Sequence, residues 1–321
     1  MKGGGLSRLL RILVAVVLTA FVFWKANPAE VMRQASGIDW RWAGAAVALV
    51  LVDRALMAYR WMVLLRALTP GSRPGFGAVL RIFFVSSFIG SFLPGVAGDV
   101  YRAYSLSRLS VDGVEAAASV VMDRALGILS MVVVAVVALM FARELLAVPG
   151  VGATVGLSVI GCIVGAVGLY SARAATAAHH VAAYLPGRKV RHLTAGLIDA
   201  VRRYSTHHTE VTTVLVASVV VQGLRVLQAY CLGAALGISA SLGIYFVFIP
   251  LIIIVMQIPI TVSGLGVSQA MFDLLFTQVG VPKAEAFALS VLFIALALVG
   301  NLPGAILYAS ANGTASRPRT T

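Results

Sequence analysis

The 321-residue chain is too apolar to be an ordinary soluble domain, because 60% of its residues are hydrophobic and 12% are charged, whereas soluble domains carry about 25% charged residues. Its net charge of +13 would suggest nucleic-acid binding in a soluble protein. Here the basic residues cluster between apolar runs, where membrane orientation and anionic lipid explain them better. We therefore expect no nucleic-acid partner.

Eight apolar segments follow one another along the chain, at about 6–24, 42–65, 76–95, 114–141, 150–172, 211–237, 242–260 and 284–310. Runs of about 20 apolar residues cross roughly 30 Å of hydrocarbon as helices, so the pattern predicts an all-α polytopic membrane protein. The first segment ends at Trp24-Lys25, which is typical of an interfacial anchor, and no small-residue cleavage site follows it. We assign it as a membrane helix rather than a signal peptide.

Glycine interrupts two of these segments. The first break reads Pro-Gly-Val-Ala-Gly-Asp at 94–99, and the second reads Ser-Gly-Leu-Gly at 263–266. Lipid cannot satisfy the backbone groups that a broken helix leaves unpaired, so such breaks are buried in protein or line a wet cavity. A matched pair of broken segments in the two halves of a chain is typical of a transporter's substrate site.

The distribution of basic residues decides between two topologies. Eight full crossings from a cytoplasmic N-terminus place the basic segment 173–209 outside, against the positive-inside rule. The conflict disappears if 76–107 and 242–280 are re-entrant hairpins that enter from opposite faces. We therefore predict about six full crossings and two hairpins in an inverted repeat, with units at about 42–141 and 211–310. Eight ordinary helices with glycine kinks are the alternative.

Segment 173–209 is expected to form one or two amphipathic helices on the cytoplasmic face, against the inner leaflet. It holds all five histidines, but their spacings fit no zinc pattern, and the two cysteines fall in apolar runs where we expect packing. We expect neither a metal nor another cofactor. One integral-membrane domain is expected over 1–311, with a disordered tail at 312–321.

Ionisable side chains at membrane depth are costly and count as functional candidates. Asp53-Arg54 and Asp123-Arg124 are adjacent pairs, and neighbouring side chains diverge by about 100° within a helix. Partners on other helices are therefore expected, with Asp53 pairing Arg124 or Asp123 pairing Arg54. Arg60, beside a tryptophan near the end of its helix, is expected to snorkel to the interface.

Arg225 lies in the middle of an apolar run with no acid nearby on its own helix. We expect it to meet a phosphate, whose oxygens a guanidinium matches bidentately. Asp99 is expected to cap the helix that carries Arg102, whose N-terminus attracts an anion, and to hold Arg102 or couple to a proton. Ser263 or Ser268 is expected to cap the half-helix after the second break.

At these residues the chain resembles the lysylphosphatidylglycerol synthase transmembrane family, also called the flippase-like family. The cues are Arg60-Trp61 with Leu-Leu-Arg at 64–66, the Pro-Gly-x-x-Gly-Asp-x-x-Arg run at 94–102, the acidic/Arg element at 123–124, and Pro-x-x-x-Ser-Gly-Leu-Gly-Val at 259–267. The resemblance covers nearly the whole chain. It implies a lipid flippase or lipid-handling protein, which we expect in a bacterial cytoplasmic (inner) membrane with a cytoplasmic N-terminus. We expect no soluble synthase domain to accompany this module, so the resemblance does not imply lipid aminoacylation.

We therefore expect a transporter that moves an anionic phospholipid or a polyprenyl-phosphate-linked lipid across the membrane, with a lipid-pathway enzyme as a candidate partner. The alternative is a non-transporting partner that binds lipid for a separate glycosyltransferase or lipid-modifying enzyme. An enzyme is disfavoured because no histidine lies at membrane depth and no carboxylate cluster suits a metal, so we assign no catalytic residue. The candidate substrate-binding residues are Arg54, Arg60, Gly95, Gly98, Asp99, Arg102, Asp123, Arg124, Arg225, Ser263, Gly264, Gly266 and Gln269.

Overall fold

The computed structural model describes residues 37–69, 71, 74–92, 97–109, 111–257 and 266–309. Within these ranges the chain is helical and contains no strand, which confirms the predicted all-α class. The first apolar segment, the centres of both glycine breaks and the C-terminal tail lie outside the described residues. What we predict for those segments stays a prediction.

Eleven α-helices occupy the described ranges. Four of them, α4, α5, α8 and α11, are long and apolar enough to cross a membrane. Helix α1 has 29 residues, about 43 Å at 1.5 Å per residue, but it carries several charges. The helices are α1 (Trp40–Leu68), α2 (Phe76–Gly90), α3 (Ala97–Ser107), α4 (Gly113–Phe141), α5 (Val151–Tyr170), α6 (Ala172–Ala183), α7 (Arg188–Arg203), α8 (His208–Ala235), α9 (Leu242–Met256), α10 (Val267–Phe276) and α11 (Lys283–Ala309).

The first glycine-broken segment folds as a helical hairpin. Helix α2 ends at Gly90, and α3 returns alongside it, so that Gly98 faces Gly90 and Arg102 reaches Ser86. A Cβ on Gly98 would lie 2.7 Å from the backbone oxygen of Ser86, closer than packed atoms approach. Glycine is therefore required where the two arms meet.

The second broken segment folds in the same way. Helix α10 returns along α9, because the rings of Tyr245 and Phe248 on α9 lie 5.2 and 5.4 Å from that of Phe276 on α10. These rings belong to the largest buried cluster of the described chain, which also includes Phe272. Neither broken segment is a continuous spanning helix, as the unpaired-backbone argument predicted.

The two units are inverted with respect to each other. Helices α1 and α8 open the two units and pack antiparallel, since Trp42 lies against Tyr230 at one end and Arg60 meets Ser218 towards the other. The other helix contacts repeat between the units: α2 packs on α11 as α9 packs on α4, and α3 packs on α4 as α10 packs on α11. The predicted inverted repeat is therefore present, while the number of full crossings stays a prediction.

The basic segment forms two helices, α6 and α7, and α7 packs against α4. Arg203 forms an ion pair with Glu115 at 3.0 Å. The hydroxyl of buried Tyr204 donates a 2.8 Å hydrogen bond to the Leu64 carbonyl. Burial raises the pKa of the Tyr204 phenol well above its ordinary value, so the group stays neutral and remains a donor. The segment is thus anchored to α1 and α4, and its cytoplasmic location stays a prediction.

Candidate functional site

A polar cavity of about 320 Å³ lies between the two inverted units. Helices α1, α3, α4, α8, α9 and α11 all contribute to its lining. The lining includes five arginines and three aspartates, which leaves a net charge of +2. Uncompensated charge inside a helical bundle attracts ions of opposite charge more strongly than charge at the surface, because little water is present to screen it. The charged residues are Arg54, Arg60, Arg102, Arg124 and Arg225 with Asp53, Asp99 and Asp123.

Arg60 holds α1, α4 and α8 together. Its Nε donates to the Asp123 carboxylate at 2.8 Å, its Nη1 donates to Ser218 Oγ at 2.8 Å, and its Nη2 reaches the Asp123 backbone carbonyl at 3.3 Å. Arg60 is 3% exposed, so the expectation that it snorkels to the interface is wrong. A carboxylate on the facing helix gives its charge a partner inside the bundle.

Arg102 joins the first hairpin to the same carboxylate. Its guanidinium lies 3.5 Å from Asp123 and 4.0 Å from Asp99, and its Nε donates to Ser86 at 3.0 Å. It also lies over the ring of Phe83 at 4.5 Å and near that of Trp61. The expectation that Asp99 holds Arg102 is confirmed, although Asp123 lies closer.

Asp53 is shared by two arginines. Its carboxylate lies 3.2 Å from Arg54 on the same helix and 3.3 Å from Arg225 on α8. Arg225 therefore has a carboxylate partner, supplied by a neighbouring helix. One negative charge faces two positive charges here, so this side of the cavity stays cationic.

Arg124 connects the two hairpins. Its Nε contacts the Asp99 carboxylate on α3, and its Nη1 donates to Gln257 Oε1 at 3.3 Å, at the end of α9. The Arg124 side chain is 43% exposed, more than the other paired arginines of the cavity. Asp99, at the first break, and Gln257, ahead of the second, thus line one cavity. That the breaks themselves face each other across it stays a prediction.

Two expectations about pairing are corrected by these contacts. Asp53 does not pair with Arg124, and Asp123 does not pair with Arg54, because each carboxylate meets arginines that its helix register brings closer. Asp99 is not the cap of its helix either, since α3 begins at Ala97 and places it in the first turn.

Two candidate residues of the second hairpin, Gly266 and Gln269, are described by the structure. Gly266 adopts a φ of +86°, and its N–H donates to Gln269 Oε1 at 2.6 Å, which caps α10. Ser268 is buried without a hydrogen-bond partner among the described residues, so it is not the cap. Gly98, Gly266 and Gln269 are absent from the described cavity lining. Gly95, Ser263 and Gly264 lie outside the described residues.

The sequence did not identify two cavity glutamines, Gln228 and Gln257, or the methionine Met57. Gln228 lies three residues after Arg225, on the same face of α8, and that spacing is the signal which would have found it. Gln257 directly follows the last turn of α9. Because helical periodicity ends there, ahead of the second glycine break, the sequence pattern does not predict which way its side chain points.

The arrangement can bind an anion. Its charged side chains are guanidinium and carboxylate groups already paired with one another, and guanidinium groups match phosphate oxygens. A volume of about 320 Å³ is at the lower end of the size of small-molecule sites. A phosphate group is the kind of anion that suits these guanidinium groups.

Comparisons with known proteins identify the family of the chain. Residues 8–304 match the model of the lysylphosphatidylglycerol synthase TM region. The chain is similar to the UPF0104 membrane protein PH1989 of Pyrococcus horikoshii, at 22% identity over 316 residues, covering 89% of this chain and 92% of that protein. The family model spans most of the sequence, so the chain belongs to the lysylphosphatidylglycerol synthase transmembrane family and is a multi-pass membrane protein.

Proposed function

We propose that the protein moves an anionic lipid across the bacterial cytoplasmic membrane, with the headgroup passing through the cavity between the inverted units. The observation that carries the proposal is the cavity's surplus of two positive charges at the meeting point of both hairpins. Buried charge is costly unless it is compensated. A lipid phosphate supplies negative charge, and a phosphodiester offsets one of the two surplus positive charges.

The arginines of the cavity divide into two groups. Arg60 is saturated by Asp123 and Ser218 and serves to hold the helices. Arg54 keeps a buried Nε without a partner among the described residues, and Arg124 is half-exposed. Groups with free donors or open faces are the ones that a phosphate reaches, so we assign Arg54 and Arg124 to the ligand. We add Arg225 because it shares the single Asp53 carboxylate with Arg54, which leaves one positive charge of that pair uncompensated.

A route for alternating access follows from Arg124. In the structure it joins Asp99 of the first hairpin to Gln257 of the second. A phosphate that takes over the guanidinium frees Gln257 and loosens the link between the hairpins. In inverted-repeat transporters, access alternates by movement of one unit against the other around a central site.

Reconstituted vesicles test the proposal. Purified protein is inserted into vesicles that carry a trace of acyl-chain-labelled phosphatidylglycerol, and dithionite then bleaches the outer-leaflet label. A transporter makes the inner-leaflet label accessible, so bleaching proceeds well beyond half. Arg124→Gln should reduce the rate by about tenfold, since it removes a charge-assisted contact. Val216→Leu, on the exposed face of α8, is the matched control and should transport like wild type.

The same vesicles separate this proposal from the alternative. If labelled lipid binds the protein but bleaching stops at half, the protein is a lipid-binding partner for another enzyme, and the transport proposal fails. If the headgroup is chemically altered on incubation, the protein is an enzyme, and the proposal fails in a different way.

A further inference from the structure

Two glutamines flank Arg225 on the face of α8 that lines the cavity. Gln222, Arg225 and Gln228 follow one another at three-residue intervals, which places them on one side of the helix, about 4.5 Å apart along its axis. Gln222 is 1% exposed and Gln228 is 4% exposed. Both are in the cavity lining, and neither was among the residues assigned to the phosphate.

Each of these glutamines leaves one amide atom without a partner. Gln222 Nε2 donates to Ser130 at 3.2 Å, while its Oε1 accepts from nothing among the described residues. Gln228 Nε2 likewise has no acceptor in the described part of the chain. Buried polar atoms are paired in nearly all proteins, so an orphaned acceptor and an orphaned donor beside a cavity point to a ligand.

The charged groups around the glutamines disfavour a cationic headgroup. All three carboxylates of the cavity already face arginines: Asp53 faces Arg225, Asp99 faces Arg124, and Asp123 faces Arg60. The aromatic rings nearest Arg102 are occupied by its guanidinium. An ammonium group binds carboxylates or open aromatic faces. In the described lining each carboxylate already faces an arginine, and the one aromatic ring, Phe293, packs against Phe272.

We infer that the cavity selects an anionic phosphodiester lipid whose headgroup is uncharged and bears hydroxyl groups, such as a glycerol or a sugar. The inference rests on the proposed binding of a phosphate in this cavity. A hydroxyl both donates and accepts, so one hydroxyl can donate to Gln222 Oε1 and a second can accept from Gln228 Nε2. A phosphate held at Arg225 places the adjoining headgroup within one helical turn of both glutamines.

Binding to purified protein in detergent tests the inference without requiring transport. Apparent Kd values are measured from the lipid-dependent rise in Tm for four lipids added one at a time. Phosphatidylglycerol and phosphatidylethanol share the phosphodiester charge but differ in hydroxyl groups, and phosphatidylethanolamine adds an ammonium. Phosphatidylinositol carries its hydroxyls on a ring, so its comparison with phosphatidylglycerol tells a ring headgroup from a linear one.

Wild-type protein should bind a hydroxylated lipid about tenfold more tightly than phosphatidylethanol, as expected for two added neutral hydrogen bonds. In Gln222→Leu and in Gln228→Leu this ratio should fall to about threefold, because each variant removes one of the two hydrogen bonds, while Val216→Leu should keep it. Equal affinity of wild type for the hydroxylated lipids and phosphatidylethanol, or preference for phosphatidylethanolamine, overturns the inference, and so does an absence of binding. If the protein binds the hydroxylated lipid selectively but does not move labelled lipid across vesicles, the inference on headgroup selection holds and only the transport proposal fails.

Discussion

Replacing Arg60 should destabilise the protein far more than replacing Arg124, although both arginines line the same cavity. Arg60→Met removes three hydrogen bonds of a side chain that is 3% exposed and leaves Asp123 facing only Arg102 at 3.5 Å. Breaking a buried ion pair from one side costs about 3–5 kcal/mol. Because Arg102 still faces Asp123 in this variant, we expect a loss of unfolding free energy near the lower end of that range.

Arg124→Met is the matched comparison. The Arg124 side chain is 43% exposed, and ion pairs that solvent reaches contribute only about 0–1 kcal/mol. Its removal should therefore change stability little, although it removes the link between the hairpins. The stability of the fold and the function of the cavity thus fall on different arginines.

Thermal unfolding in detergent, followed by tryptophan fluorescence, measures the difference. Arg60→Met should lower the Tm by roughly 5–10 °C, and Arg124→Met by no more than about 3 °C. Adding Asp123→Leu to Arg60→Met should recover part of the loss, because the stranded carboxylate is then gone. Equal Tm changes for the two single variants would refute the division between a structural and a ligand-facing arginine.

Three further predictions concern the hairpin, the basic segment and the topology. Gly98→Ala should cost about 1–3 kcal/mol by overpacking against Ser86, measured as a lower Tm, whereas Gly77→Ala, which has open space around it, should not destabilise. Tyr204→Phe should cost about 1 kcal/mol from the lost hydrogen bond to α1, again measured by Tm, and an unchanged Tm would show that this bond does not anchor the segment. We expect His192→Cys, in a variant that lacks the native cysteines, to resist an impermeant maleimide added outside intact cells and to react with it after lysis. Labelling from outside would place segment 173–209 on the outer face.

The architecture was predictable because it follows from two features that are visible in the sequence, the glycine breaks and the distribution of basic residues. Unpaired backbone at membrane depth has few solutions, so the breaks at 94–99 and 263–266 indicated hairpins before any contact was known. The excess of basic residues in 173–209 then set their opposite orientation. Both arguments need only the order of residue types along the chain.

The ion pairs were not predictable in the same way, because they depend on helix register and rotation. Asp53 and Asp123 each had several arginines within reach on neighbouring helices, and sequence adjacency gave no means of choosing among them. A shift of one residue along a helix turns a side chain by about 100°. The sequence therefore indicated which charges share the cavity, but not that Arg60 meets Asp123 or that Arg225 meets Asp53.

The central claim is that the cavity between the inverted units holds an anionic lipid headgroup, and native mass spectrometry of the purified protein tests it most directly. Protein extracted from its own membrane and stripped of loosely held lipid should retain one anionic lipid per chain. In Arg124→Gln combined with Arg225→Gln, that lipid should be lost while the protein stays folded. Retention of a zwitterionic lipid by the wild type, or equal retention of the anionic lipid by the double variant, would contradict the account.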